Sequence, residues 1–160
     1  MRPAGRRGAR ATRASSLIGC ARSPPPPPLP LTAPEAQALT GLLEQPPAGE
    51  ETFLLHLLSE RIPPGVDEAA YVKASWLRAV AGGQVVSPLV SPVEATGLLA
   101  TMIGGYNVGA LIELLSSADA TIAAEAATGL SRTLLDYDDF HEVLELANTN
   151  PWAKQVVDSW

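Results

Sequence analysis

From Thr32 onward, apolar side chains recur at three- and four-residue intervals, the period of a helix with one buried face. The successive runs are Leu39, Leu42 and Leu43; Phe53, Leu54, Leu57 and Leu58; and Ala70, Ala74, Leu77, Val80 and Ala81. They continue with Leu98, Leu99 and Met102; Leu111, Ile112, Leu114 and Leu115; and Ile122, Ala123, Ala126, Ala127, Leu130 and Leu134. The last two runs are Phe140, Val143, Leu144 and Ala147, then Trp152, Val156 and Val157. No segment alternates with period two over a strand's length, so the pattern predicts an all-α fold.

The residues between these runs are helix punctuation. Thr32-Ala33-Pro34-Glu35 and Ser91-Pro92-Val93-Glu94 have the form of capping boxes with proline in the first turn. Asp67, Asn107, Asp119, Asp138 or Asp139, and Asn150 before Pro151 stand where N-caps are needed. Pro46-Pro47, Pro63-Pro64-Gly65, Gly82-Gly83 and Gly104-Gly105 supply the stops. Hairpin starts near residues 33, 67, 107 and 138 are spaced like helical-hairpin repeats, which predicts an α-α superhelical stack of about four hairpins. The alanine-rich helix after Asp119 can approach its neighbours closely, which places it centrally. The last helix carries no stop signal before Trp160, so the chain is expected to be a piece cut from a longer polypeptide.

Charge divides the chain in two. Arg2, Arg6, Arg7, Arg10, Arg13 and Arg22 all precede the first acid, Glu35, leaving five cations against seventeen acids from Ser23 onward, a balance of −12. Residues 1–31 therefore read as a disordered basic leader ending in a polyproline spacer, and residues 32–160 as the folded domain. A leader rich in Arg, Ala, Ser and Gly, without the roughly 7–15-residue apolar core of a secretory signal, has the composition of a transit peptide. That composition predicts an organelle, mitochondrion ahead of plastid. A misassigned start in a GC-rich coding region gives the same residues and would leave the protein in the cytoplasm. The acidic body disfavours RNA, because non-specific nucleic-acid affinity comes mainly from Lys and Arg. No apolar run approaches the ~20 residues of a membrane span, so no membrane partner is predicted.

Chemistry-bearing constellations are missing. Cys20 is the sole cysteine and lies in the leader, too few thiols for a disulfide or a self-contained iron–sulfur cluster. His56 and His141 lie in different helices, neither in a zinc-type spacing. Asp136-Tyr137-Asp138-Asp139 lacks the glycine and glutamate of a calcium loop and reads as capping carboxylates. Ser59, Ser91 and Ser131 have no nucleophile-elbow motif, and Gly104-Gly105 has no preceding strand and no lysine nearby for a phosphate loop. No catalytic, cofactor-binding or metal-binding residue is predicted. The candidates that remain are for docking: Arg61, Tyr106 and Asn107, at turns, offer charge, aromatic area and amide hydrogen bonding. Against them stands a structural reading, in which Tyr106 packs on the adjacent hairpin and Asn107 caps a helix.

Longer words of sequence add a resemblance. Pro46-Pro47-Ala48-Gly49-Glu50-Glu51, the stretch from Arg61 to Ala74, Ser87-Pro88-Leu89, Gly104-Gly105-Tyr106-Asn107, Leu111-Ile112-Glu113-Leu114-Leu115 and Ala153 to Trp160 occur in order. Together they resemble the N-terminal HEAT-like domain of the aconitate hydratase B family, bifunctional aconitases and 2-methylisocitrate dehydratases, over roughly Thr32 to Trp160. The resemblance implies a protein-interaction domain, dimerisation included, that precedes aconitase catalytic domains in the same polypeptide and has no catalytic residues of its own. It implies a parent hydro-lyase of the tricarboxylic acid cycle that interconverts citrate and isocitrate through cis-aconitate on a [4Fe–4S] cluster. The cluster ligands would belong to the later domains. The basic, proline-rich leader departs from the bacterial members. The alternative is a stand-alone helical scaffold that has lost the enzyme.

Overall fold

The computed structural model describes residues 29–160. The expected transit peptide and most of the polyproline spacer lie outside the described residues. Eight helices are found among the described residues: α1 (Ala33–Glu44), α2 (Glu51–His56), α3 (Glu68–Ala81), α4 (Pro92–Ala100), α5 (Val108–Leu114), α6 (Ala120–Leu130), α7 (Tyr137–Leu146) and α8 (Pro151–Asp158). No strand occurs among these residues. The fold is all-α, as the periodicity predicts.

Most helices begin where the sequence marks a cap. Glu35 accepts from both the N–H and the hydroxyl of Thr32 at 2.8 Å. Glu94 accepts the same pair from Ser91 at 2.8 and 2.7 Å, while the Ser91 hydroxyl accepts from the Glu94 N–H at 3.3 Å. Asp67 accepts from the Ala70 N–H, and Asp119 from that of Thr121. At α7 the cap is Asp136, two or three residues earlier than the expected Asp138 or Asp139. Asp136 is extended (φ −76°, ψ −179°), the backbone a cap requires, and its carboxylate accepts from both Asp138 and Asp139 N–H groups. Asn150 holds α8 in the same way and also donates to the Leu115 carbonyl at 2.8 Å, fastening α8 to the end of α5.

Helices α1, α3, α4, α6 and α8 pack each against the next in one row, while α2 lies on α1, α5 on α4 and α6, and α7 on α5 and α8. Between the layers lie Leu43, Leu58, Ile62, Leu77, Leu99, Leu111, Leu115 and Leu130, all essentially solvent-free. Helix α6 is central, as its alanines predict. Ala123, Ala126 and Ala127 are completely buried, and a Cβ on Gly129 would lie 2.6 Å from the Ala100 Cβ, so α4 and α6 cross at near-contact distance. A bulkier residue there would force the axes apart.

The structure corrects several inward assignments. Leu42, Phe53, Phe140 and Leu144 are partly exposed, and Leu134 is 98% exposed. Helix α6 stops at Leu130, where the N–H groups of Arg132 and Thr133 turn back to the carbonyls of Gly129 and Leu130 in a tighter turn, and the hydroxyls of Ser131 and Thr133 add bonds to the carbonyls of Ala127 and Gly129. Helix α2 ends in a wider π turn over Leu57–Arg61 that the sequence does not announce. Helix α8 runs to Asp158, and the Ser159 N–H bonds to the carbonyl of Val156.

Candidate interaction surface

The turns from Arg61 to Val66 and from Met102 to Asn107, forty residues apart in sequence, meet at one end of the α3–α4 pair. The Ile103 N–H donates to the Pro64 carbonyl at 2.9 Å, and the Tyr106 hydroxyl donates to the Val66 carbonyl at 3.0 Å. Gly104 lies so close that an added Cβ would be 2.1 Å from the Gly65 carbonyl oxygen. Gly105 turns the chain with φ +84°, a conformation that favours glycine. Around this joint Val66, Tyr71, Ile103 and Tyr106 are exposed, with the two tyrosine rings edge to face at 5.4 Å.

The three expected docking residues fare differently here. Tyr106 remains on the surface, with its hydroxyl held by the Val66 carbonyl. Arg61 is half-buried: its guanidinium donates to the Leu29 carbonyl, and its own carbonyl accepts from the Leu31 N–H at 2.8 Å, tying the incoming chain to the end of α2. Asn107 is fully buried, which removes it from any surface. Nor does it cap α5, because its backbone is already helical (φ −92°, ψ −22°). Its amide instead turns back and donates to the carbonyls of Leu99 and Met102 at 2.8 and 3.1 Å, closing the C-terminal end of α4.

A second exposed face, not anticipated from sequence, lies at α7. Tyr137, Phe140 and Leu144 are exposed at helical spacing, whereas Val143 is buried. Trp160 packs on Phe140 with ring centroids 5.3 Å apart, and a cleft of about 350 Å³ runs between them and Ser131 to Leu135. His141 packs edge to face on Tyr137 and Phe140, which explains its place without a ligand. The helical spacing of Tyr137, Phe140 and Leu144 is visible in the sequence, but nothing in it shows that no neighbouring helix covers them.

Electrostatics set the character of these surfaces. Among the described residues Arg78 pairs with Glu113 and Lys154 with Asp158, both pairs exposed and of small energetic weight. Arg132, beside the α7 face, makes no ion pair or side-chain hydrogen bond among the described residues. Lys73 is only 2% exposed, and burial pushes its ammonium below the ordinary lysine value, with Glu60 pulling partly the other way. At the start of α7 burial first, and then the charges of Asp136, Glu142 and Asp138, hold Asp139 above the ordinary carboxylate value. No group of three His, Cys, Asp or Glu side chains able to hold a metal occurs among the described residues, and none of their helices is long and apolar enough to cross a membrane.

Capped helices in two layers, joined by touching turns and bearing exposed apolar faces, define an all-α hairpin stack. The chain belongs to the family described as the aconitate B N-terminal domain, whose model matches residues 24–160. It is 58% identical over 134 residues to aconitate hydratase B of Synechocystis sp., a match covering 84% of this chain and 15% of that protein. To aconitate hydratase B of Escherichia coli it is 55% identical, covering 83% and 15%. The Helicobacter pylori protein of the same name is 44% identical, covering 84% and 16%. The chain thus spans about 15% of the length of these relatives.

Proposed function

We propose that this domain is the docking module of an aconitate hydratase B, held against the catalytic portion of the enzyme. The parent reaction is the interconversion of citrate and isocitrate through cis-aconitate. The observation that carries this reading is a helical stack of the aconitate B N-terminal family that leaves aromatic and aliphatic side chains exposed in groups, on a body otherwise rich in acids. Grouped apolar exposure of this kind marks surfaces that meet protein.

The domain's own residues do not fit the cluster that the family's chemistry calls for. A [4Fe–4S] cluster takes several cysteine thiolates, and the sequence holds one cysteine, Cys20, outside the described residues. No catalytic step is therefore assigned to this chain; its part is to hold and orient.

Docking is tested by mixing. The full 160-residue chain is combined with a Synechocystis relative from which the matching N-terminal domain has been deleted, and the mixture is run by size-exclusion chromatography. Co-elution supports the module. Separate elution supports a stand-alone scaffold that kept the fold without the enzyme.

A further inference from the structure

Stacks of helical hairpins expose their end repeats, and a repeat that ends a stack carries a polar outer face. Helix α7 breaks that rule. Its outer stripe is Tyr137, Phe140 and Leu144, exposed by 76%, 37% and 40%, and the neighbouring loop adds Leu134 at 98%. Such a face belongs in the interior of an assembly.

From this we infer that the α7 face is the seat of the catalytic portion of an aconitate hydratase B chain, a deduction that rests on the docking function proposed above. Two further observations select that occupant. In the relatives, roughly six-sevenths of the polypeptide lies outside the matched region, and the family's description as an N-terminal domain puts that remainder after the residue aligned with Trp160. Trp160 packs against Phe140, so in a chain built like the relatives the polypeptide continuing from the aligned residue starts beside the stripe, where tethering raises its local concentration. Charge gives the second argument. Arg132 borders the face with no ionic partner among the described residues, in a body whose balance is −12, which suits an occupant bringing apolar side chains and a carboxylate.

The joint with Val66, Tyr71, Ile103 and Tyr106 provides the control, because it is also apolar and lies far from Trp160 in sequence. Leu134 and Ile103 are 98% and 80% exposed, so a charge at either leaves the core untouched. Affinity for the truncated Synechocystis relative is measured by titration calorimetry for the unmodified chain, Leu134→Asp, Arg132→Glu and Ile103→Asp, with circular dichroism confirming equal helicity. The inference expects Leu134→Asp and Arg132→Glu to weaken binding roughly tenfold or more, as loss at an interface centre does, and Ile103→Asp to bind as the parent. Binding weakened only by Ile103→Asp would move the seat to the other joint and overturn the inference while leaving the docking function standing. Equal binding by all variants would likewise overturn it alone. An unmodified chain that does not bind would overturn both.

Discussion

Gly104 meets Gly65 backbone to backbone: a Cβ on Gly104 would fall 2.1 Å from the Gly65 carbonyl oxygen and 2.6 Å from its carbon. Because the obstacle is main chain, no rotamer change relieves it. The two turns are thereby locked, and with them the ends of α3 and α4. Gly104→Ala is expected to destabilise the domain by ~3 kcal/mol, at the upper end of overpacking costs. Gly105 has open space around it but a positive φ, so Gly105→Ala should cost only ~1–2 kcal/mol. Urea unfolding of the two variants gives the comparison; equal losses would contradict the close approach.

The Ser91–Glu94 box is predicted to act through both partners. Ser91→Ala should cost ~0.5–2 kcal/mol, the usual range for a lost cap. The Ser91 hydroxyl and then its N–H hold the Glu94 carboxyl below its ordinary value of 4.5. Its contribution to stability is therefore fully present above that value and is lost as pH falls through the depressed folded-state pKa. Denaturation midpoints measured across that acid range should converge for the parent and Glu94→Ala, and a constant gap would contradict the cap.

Lys73 gives the opposite experiment. Its folded-state pKa lies below the ordinary 10.5, so the unfolded chain binds more protons and stability rises with pH across the interval between the two values. At neutral pH the buried ammonium is a cost, and Lys73→Met is expected to stabilise by ~1 kcal/mol. That gain should shrink as pH approaches and passes 10.5. Urea midpoints for both proteins at neutral and alkaline pH provide the check; a gain independent of pH would show that the charge is solvated.

For the basic leader we propose an address. A reporter carrying residues 1–32 should enter mitochondria in an import assay, and import should fail when Arg2, Arg6, Arg7, Arg10 and Arg13 are replaced by Gln, since a membrane potential pulls on that charge. Diffuse cytosolic signal from the unmodified reporter would contradict it.

Much of the fold could be read from the chain because its helices begin at residues with few alternatives. Thr32, Asp67, Ser91, Asp119 and Asn150 each precede a helical apolar stripe, and the structure places each at a helix start. At α7 three carboxylates were equally competent, and only the extended backbone at Asp136 decided among them. Asn107 misled for a related reason. Composition marks it as a cap, but whether its amide faces forward to α5 or back to α4 depends on a backbone angle that tertiary packing sets.

The exposed apolar faces were less legible. Amphipathic spacing shows that Phe140 and Leu144 share a face with Val143 but not whether a neighbour exists to cover it. The contact between the turns at Gly65 and Gly104 links positions almost forty residues apart, beyond the reach of any local pattern. Tyr106 was visible as a surface aromatic, whereas the hydroxyl bond to Val66 that fixes it was not.

The proposed docking role requires that this domain be joined to aconitase catalytic polypeptide in the cell. An antibody raised against residues 29–160 can be used to precipitate the native protein from source cells, and the precipitate assayed for conversion of citrate to isocitrate. An active precipitate whose polypeptide is several times larger than 16.7 kDa is expected. A stable 16.7 kDa product without that activity would contradict it.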